Sequence, residues 1–142
     1  MQEDLVSIIY ASSANHLFTR TELLDLLKVS RENNEKADIT GMLLYKDGNF
    51  IQAIEGHESV VNRLYQKIIK DPRHSNIVLL GNQPIPERQF LNWSMGFRNI
   101  NDLSTKDLEG FSRFLEEDFA PDYFRNNPIR AYVMLLAFKE NM

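Results

Sequence analysis

Two apolar segments, joined by a turn that contains the pair Asp47-Gly48, constrain the fold of this 142-residue chain most strongly. Ile39–Tyr45 and Phe50–Glu55 have the length and the apolar content of strands, and the second alternates with a period of two residues. An Asp-Gly pair between two such segments favours a tight turn, because glycine adopts positive φ without strain. We therefore predict a β-hairpin whose second strand ends at Gly56.

The segments on both sides of the hairpin predict the remaining elements of a sheet domain. Thr19 and Glu22 have the spacing of a helical capping box, and Pro72 ends a second amphipathic pattern. The further elements are strands at Leu5–Ala11, Ile77–Leu80 and Trp93–Phe97, and helices from Thr19 to Asn34 and from His57 to Asp71. The resulting order, β-α-β-β-α-β-β, predicts an α+β, ferredoxin-like sheet with two helices on one face.

Residues 99–142 have a different, helical pattern, so we divide the chain into a domain over 4–98 and a C-terminal extension over 99–142. We expect one helix from about Asn101 to Phe119, a loop at Pro121–Asn127, and a last helix at Ile129–Lys139, with Pro128 in its first turn. The last helix is apolar nearly all round. It should therefore cover the free face of the sheet or contact another subunit.

Composition excludes several classes of function. The net charge of −4 does not suit a nucleic-acid backbone, and the absence of cysteine excludes thiol chemistry and disulfides. The N-terminus lacks a signal-peptide pattern, and no apolar run approaches the roughly 20 residues of a membrane span. We expect a cytoplasmic protein that contacts neither nucleic acid nor membrane.

Gln52 and Tyr10 are unusual polar residues on predicted apolar strand faces. Gln52 lies between Phe50 and Ile54 on one face, where it is either a solvent-exposed amide at a sheet edge or a polar group inside a ligand pocket. Tyr10 shares a face with Val6 and Ile8. It is either a packed phenol with one hydrogen bond or a hydrogen-bonding, redox-active group beside a cofactor. The two side chains meet if the first and third strands are neighbours.

Two polar groups at helix ends also have alternative interpretations. Asn33 and Asn34 either terminate the first helix or bind the amide and carbonyl edges of a ligand. Near the end of the second helix, Lys67 and Asp71 have the spacing of a surface ion pair. Alternatively, Lys67 could join the two remaining polar residues there, Arg73 and His74, in holding a phosphate.

Motifs for catalysis and metal binding are absent from the sequence. The six glycines are dispersed rather than gathered in a phosphate-binding loop, and neither HExxH nor GxSxG occurs. The three histidines lack metal-ligand spacing, so we predict no metal site.

Taken together, these segments resemble the blue-light-using-flavin (BLUF) photoreceptor domain. The matching stretches are LVSIIYAS, RENNEKADITGMLLY, NFIQAIEG, KIIKDPRHSNIVLL and FLNWSMGF, which cover roughly residues 4–98 in order. The C-terminal region is similar to the helices of short, stand-alone members. The resemblance implies a ferredoxin-like domain that holds FAD non-covalently between its two helices.

The resemblance also implies roles for individual residues. Tyr10 would transfer an electron to excited flavin, and Gln52 would link Tyr10 to the flavin ring. Trp93 and Met95 would relay the signal, and Ser30 would support the site from a second layer. The expected cofactor-binding residues are Asn33, Asn34, Lys67, Asp71, Arg73 and His74. Lys67 is a departure from the relatives that have arginine at this position. Arginine can bind a phosphate through a bidentate fork, which lysine cannot form.

The expected function is therefore a blue-light photoreceptor without enzymatic activity. It would signal through altered contacts with a downstream protein and form a homo-oligomer. One alternative is an acylphosphatase-like enzyme on the same fold, although no arginine lies in a tight loop after the first strand. The other alternative is an interaction module that binds no flavin.

Overall fold

Strands and helices follow one another in the described part of the chain, which in the computed structural model comprises residues 4–90, 95–99, 121–126, 129, 131–133 and 135–136. The elements are β1 (Leu5–Ala14), α1 (Arg20–Ala37), β2 (Thr40–Lys46), β3 (Asn49–His57), α2 (Glu58–Ile68), β4 (His74–Pro84), β5 (Gly96–Asn99) and α3 (Pro121–Asn126). The described residues between 129 and 136 are also helical.

The five strands form one sheet in the order β4-β1-β3-β2-β5. The first four are antiparallel to their neighbours, and β5 runs parallel to β2 at the edge. Because β1 lies between β3 and β4, the β-α-β-β-α-β part has the split arrangement of the ferredoxin-like fold. The predicted fold class is confirmed.

The predicted hairpin forms through a two-residue turn. Asp47 and Gly48 have φ values of 51° and 82°, so both lie in the left-handed region that tight hairpins require. Directly beyond the turn, Lys46 pairs with Asn49. This turn sets the register that places Gln52 opposite Leu43 on β2.

The sheet buries both of its faces, because alternate residues of each strand point to opposite sides. Val6, Ile8 and Ile54 pack with Leu23 of α1 and Val61 of α2 in one core. The opposite core consists of residues from the other strand faces and the C-terminal helical region: Ile9, Ala11, Met42, Leu44, Ile51, Ala53, Phe90, Phe124, Ala131 and Leu135. The C-terminal region thus covers the second face within the same chain.

Several predicted boundaries need correction. β1 continues to Ala14 because Ser12 and Ser13 still pair with β3. Pro121–Asn127 was predicted as a loop, but residues 121–126 are helical, since proline suits the first turn of a helix. The helix expected from Asn101 to Phe119, together with Pro128, lies outside the described residues.

Helices long and apolar enough to cross a membrane are absent from the part of the chain that the structure describes.

Candidate functional site

A cavity of about 480 Å³ opens between the two N-terminal helices and the sheet. Most of its surface is apolar, and polar side chains line it along α1, at Gln52 on the sheet and at the end of α2. Its lining residues are Tyr10, Phe18, Glu22, Asp25, Leu26, Val29, Ser30, Asn33, Asn34, Leu43, Phe50, Gln52, Leu64, Lys67, Ile68, Asp71, Arg73 and His74. This volume and this mixture are typical of small-molecule sites.

Tyr10 and Gln52 meet at the inner wall of this cavity. The two residues are directly paired between β1 and β3, and the Tyr10 hydroxyl donates a hydrogen bond to Oε1 of Gln52. Both are buried, with 4% of Tyr10 and 8% of Gln52 exposed. The alternative of a solvent-exposed glutamine at a sheet edge is therefore wrong, because β3 is an interior strand.

Burial keeps the Tyr10 hydroxyl protonated. Removal from water raises the pKa of Tyr10 well above its ordinary value of 10.0, and the nearby Tyr65 and Asp71 raise it further. The ring of Tyr65 lies 5.8 Å from that of Tyr10, centroid to centroid. At neutral pH, Tyr10 is consequently a neutral hydrogen-bond donor.

The other end of the Gln52 amide faces Met95, immediately before β5. Nε2 of Gln52 lies 3.4 Å from Sδ of Met95, which is only 2% exposed. The backbone oxygen of Met95 accepts a hydrogen bond of 2.9 Å from Nε of Arg31. Gln52 therefore connects the cavity to the start of an edge strand.

α1 brings five polar residues to the same cavity, namely Glu22, Asp25, Ser30, Asn33 and Asn34. The capping box forms as predicted: Glu22 N lies 3.2 Å from Thr19 Oγ1, and Thr19 N lies 3.0 Å from Glu22 Oε1. The helix then continues to Ala37, placing Ser30, Asn33 and Asn34 along one wall. Asn33 and Asn34 do not terminate the helix, because Asp38 takes the left-handed cap with φ 56°.

The residues between α2 and β4 form the polar end of the cavity. Arg73 contacts both carboxylate oxygens of Asp71, with an Nη2 to Oδ2 distance of 2.5 Å. The hydrogen bonds from Arg73 lower the pKa of Asp71, and Asp71 raises the pKa of Arg73. Lys67 makes no ion pair within the described residues. The predicted surface pair of Lys67 with Asp71 is therefore wrong.

His74 is held by the protein on both sides of its ring. Nδ1 lies 2.9 Å from Oγ of Ser12, and Nε2 lies 2.6 Å from the backbone oxygen of Ile68. A neutral ring that donates from Nε2 to the carbonyl and accepts at Nδ1 from the hydroxyl satisfies both contacts. His74 thus fixes the end of α2 against β1 and lines the cavity at the same time.

The donor set fits a flat heterocycle with a charged tail. Apolar side chains such as Leu43, Val29 and Leu64 offer surfaces for the faces of a ring. The amides of Asn33 and Asn34 offer donors and acceptors to its edge. Lys67 and Arg73 place cationic groups at the other end, where an anionic group can bind.

Three residues near the site were not recognised as functional candidates from the sequence. Arg31 and Tyr65 are ordinary members of amphipathic helices, and their contacts follow only from the packing. The sequence does contain a signal for Glu55, because a charged residue on the same strand face as Ile51 and Ala53 needs partners once it is buried. It is 1% exposed.

The Glu55 carboxylate ties the segment after β4 to the sheet. Its oxygens accept hydrogen bonds from the backbone nitrogens of Gln89 and Phe90, at 2.9 and 2.6 Å. They also accept one from Oγ1 of Thr40 at 2.9 Å. A carboxylate with three donors is stable when buried.

Trp93 lies outside the described residues. Groups of three or more His, Asp or Glu side chains that could hold a metal ion are absent from the described ranges.

Comparisons with known proteins agree with this geometry. A family model described as sensors of blue light using FAD (BLUF) matches residues 5–96. A photoactivated adenylate cyclase subunit alpha from Euglena gracilis is 38% identical over 86 residues, which are 61% of this chain. The blue light- and temperature-regulated antirepressor BluF from Escherichia coli K12 is 34% identical over 86 residues, again 61% of this chain.

The two sequence relatives are longer proteins. The matched region spans 8% of the cyclase subunit and 21% of the antirepressor. A solved structure of BlsA in its photo-activated state instead matches along nearly its whole length. It is 33% identical with a TM-score of 0.76, and the match covers 93% of this chain and 94% of BlsA.

Proposed function

The chain belongs to the BLUF family of flavin-binding blue-light sensors, and we propose that it binds FAD non-covalently in the cavity between α1, α2 and the sheet. Light would then change the hydrogen bonding of Tyr10 and Gln52. The observation that carries this proposal is the position of Gln52, buried at the cavity wall with Tyr10 on one end of its amide and Met95 on the other.

The residues around the cavity suit the parts of FAD. We assign the ring edge to Asn33 and Asn34 on α1, and Ser30 supports them from the same helix. Lys67, Arg73 and His74 would lie along the ribityl and phosphate portion, with Asp71 orienting the Arg73 guanidinium. The ammonium of Lys67 supplies a point charge to a phosphate rather than a bidentate fork.

Tyr10 and Gln52 perform the proposed light reaction. When bound, an excited oxidised flavin supplies a strong oxidant at the cavity wall. Tyr10 would be the electron donor, and its hydroxyl proton would move along the hydrogen bond to Gln52. When the electron returns, the proton would return to the Tyr10 oxygen. The net change would then lie in the Gln52 amide, either rotated or tautomerised by movement of one of its own N–H protons to Oε1. No covalent bond to the cofactor is needed, in agreement with the absence of cysteine.

The changed amide would transmit the signal through Met95. A rotated amide presents its oxygen where Nε2 now faces Sδ, and that hydrogen bond is lost. We propose that Met95, together with Trp93, then biases β5 and the C-terminal helices between two arrangements. The output would be altered binding to a downstream signalling protein, and the family includes cyclase subunits and an antirepressor.

The BLUF domain is a sensor rather than an enzyme, so the acylphosphatase-like alternative is not favoured. The interaction module without flavin is also not favoured, because the family binds flavin. We further propose a homo-oligomer acting in the cytoplasm, without direct contact to nucleic acid or membrane.

Absorption spectroscopy of the purified protein tests the proposal. We expect a yellow protein whose released cofactor co-migrates with FAD, and whose spectrum shifts reversibly to the red under blue light. A protein that cannot be loaded with any flavin contradicts the proposal. Loading with FMN alone contradicts the assignment of FAD.

A further inference from the structure

Arg31 connects the cavity-lining helix to the residue that receives the signal. It lies on α1 between Ser30 and Asn33, both of which line the cavity. Its side chain reaches across to the backbone of Met95, with 2.9 Å between Nε and the carbonyl oxygen. In the described part of the chain, no ion pair competes for this guanidinium.

Two contacts therefore hold Met95, one to its side chain and one to its backbone. Gln52 contacts its side chain through Nε2, whereas Arg31 holds its backbone. A hydrogen bond from a charged donor is stronger than one between neutral groups, and sulfur is a weak acceptor. The backbone contact therefore has both the stronger donor and the stronger acceptor.

The strand that follows depends on this backbone position. Gly96, the next residue, pairs with Met42, and the described part of β5 has four residues at the edge of the sheet. A short edge strand contributes few ladder hydrogen bonds of its own, so a contact at the residue directly before it has a large influence on its opening.

We propose that Arg31 is a positioning residue that holds the start of β5 in its dark arrangement and sets how far light displaces that strand. This inference rests on the proposed function. Loss of the Gln52 contact to Sδ in the light would leave Arg31 as the remaining restraint on Met95. The strength of that restraint then decides how much of the amide rearrangement reaches β5.

Three variants test this role. Arg31→Met keeps an unbranched side chain that reaches about as far as Nε and suits a helix, but it removes the donors. Arg31→Lys keeps one cationic donor and should restore part of the effect. Arg20→Met is the matched control, because Arg20 lies exposed at the start of the same helix.

Amide hydrogen exchange of residues 96–99 is the main measurement, taken in the dark and under blue light. In the dark, we expect roughly tenfold faster exchange in Arg31→Met than in the wild type. The light-induced increase should be larger than in the wild type, because neither of the two contacts to Met95 remains once light breaks the one from Gln52. Arg31→Lys should give an intermediate value, and Arg20→Met should match the wild type. The red shift should persist in all three variants, because Tyr10 and Gln52 are unchanged.

Two results would overturn the inference. One is wild-type exchange at residues 96–99 in Arg31→Met, both dark and light. The other is loss of the red shift in Arg31→Met with flavin still bound, which would place Arg31 in the photochemistry. A missing red shift in the wild type itself rejects the proposed function instead. The dark comparison between wild type and Arg31→Met remains a test of the backbone contact.

Discussion

The Tyr10 hydroxyl donates a hydrogen bond to Oε1 of Gln52 from the directly paired position on the neighbouring strand. The carboxamide has two different ends, and here the oxygen faces a phenol while the nitrogen faces a sulfur. Rotation of the amide must change both contacts together. The pair therefore links an event at the cavity to the edge of the sheet without moving the backbone of β3.

Tyr10→Phe should abolish the light-induced red shift. The substitution keeps the ring but removes the donor to Gln52 and the proposed electron donor. Flavin should remain bound, because the cavity retains its shape. Illuminated absorption spectra provide the measurement. Tyr65→Phe is the control, since it changes a neighbouring ring and should keep the shift. A normal photocycle in Tyr10→Phe would remove Tyr10 from the mechanism.

Alkaline pH should destabilise the wild type more than Tyr10→Phe. Below pH 10, Tyr10 is protonated in both states and contributes no pH dependence. Above the ordinary pKa of 10.0, the unfolded chain loses this proton while the folded chain keeps it, because burial raises the pKa. The unfolded state then binds fewer protons, and the free energy of unfolding falls as pH rises.

Urea denaturation between pH 9 and pH 11 measures this difference. The wild type should lose up to about 1.4 kcal/mol per pH unit more than Tyr10→Phe above pH 10. Groups that titrate alike in both proteins cancel in the comparison. Parallel stability curves for the two proteins would contradict a raised pKa of Tyr10.

Gly41→Ala should destabilise the hairpin strongly. A Cβ at this position would overlap the backbone oxygen of Ala53, which cannot move without disturbing β3. We expect a loss of about 2 kcal/mol or more in the free energy of unfolding, measured by urea denaturation. Gly81→Ala on β4 is the control, because nothing lies within 4 Å of its added Cβ. Equal stabilities of the two variants would contradict the close approach of β2 and β3.

Glu55→Gln should also destabilise the protein, by about 1–3 kcal/mol. The variant replaces one carboxylate oxygen by an amide group, which would face a donor from Thr40, Gln89 or Phe90. Glu87→Gln changes an exposed residue of the same segment and should be neutral. Thermal unfolding of the two variants provides the comparison. A neutral effect of Glu55→Gln would show that the segment after β4 is held by other contacts.

Local patterns predicted much of the sheet. The Asp47-Gly48 turn and the alternation around Gln52 depend on residues that are close in sequence. The hairpin and the two faces of its second strand could therefore be predicted from them. The end of α1 could not be predicted in this way, because two asparagines are compatible both with a helix C-terminus and with a helix that continues along a ligand cavity. The left-handed φ of Asp38 decided between these possibilities.

Contacts to the backbone were beyond sequence reasoning. Arg31 and Glu55 bind main-chain atoms of Met95, Gln89 and Phe90, and a main-chain acceptor or donor has no signature in the sequence. Likewise, Asp71 forms its ion pair with Arg73 rather than with Lys67, because the turn after α2 brings the Arg73 side chain onto the carboxylate. The four-residue spacing in the sequence had favoured a pair between Asp71 and Lys67.

The light-minus-dark absorption spectrum of Gln52→Leu, with flavin bound, tests the central claim most directly. Leucine fills the space between Phe50 and Ile54 but can contact neither Tyr10 nor a cofactor through hydrogen bonds. Gln83→Leu, an exposed change on β4, is the matched control. We expect a reversible red shift in the wild type and in Gln83→Leu, and no shift in Gln52→Leu. A wild-type red shift in Gln52→Leu would contradict the account.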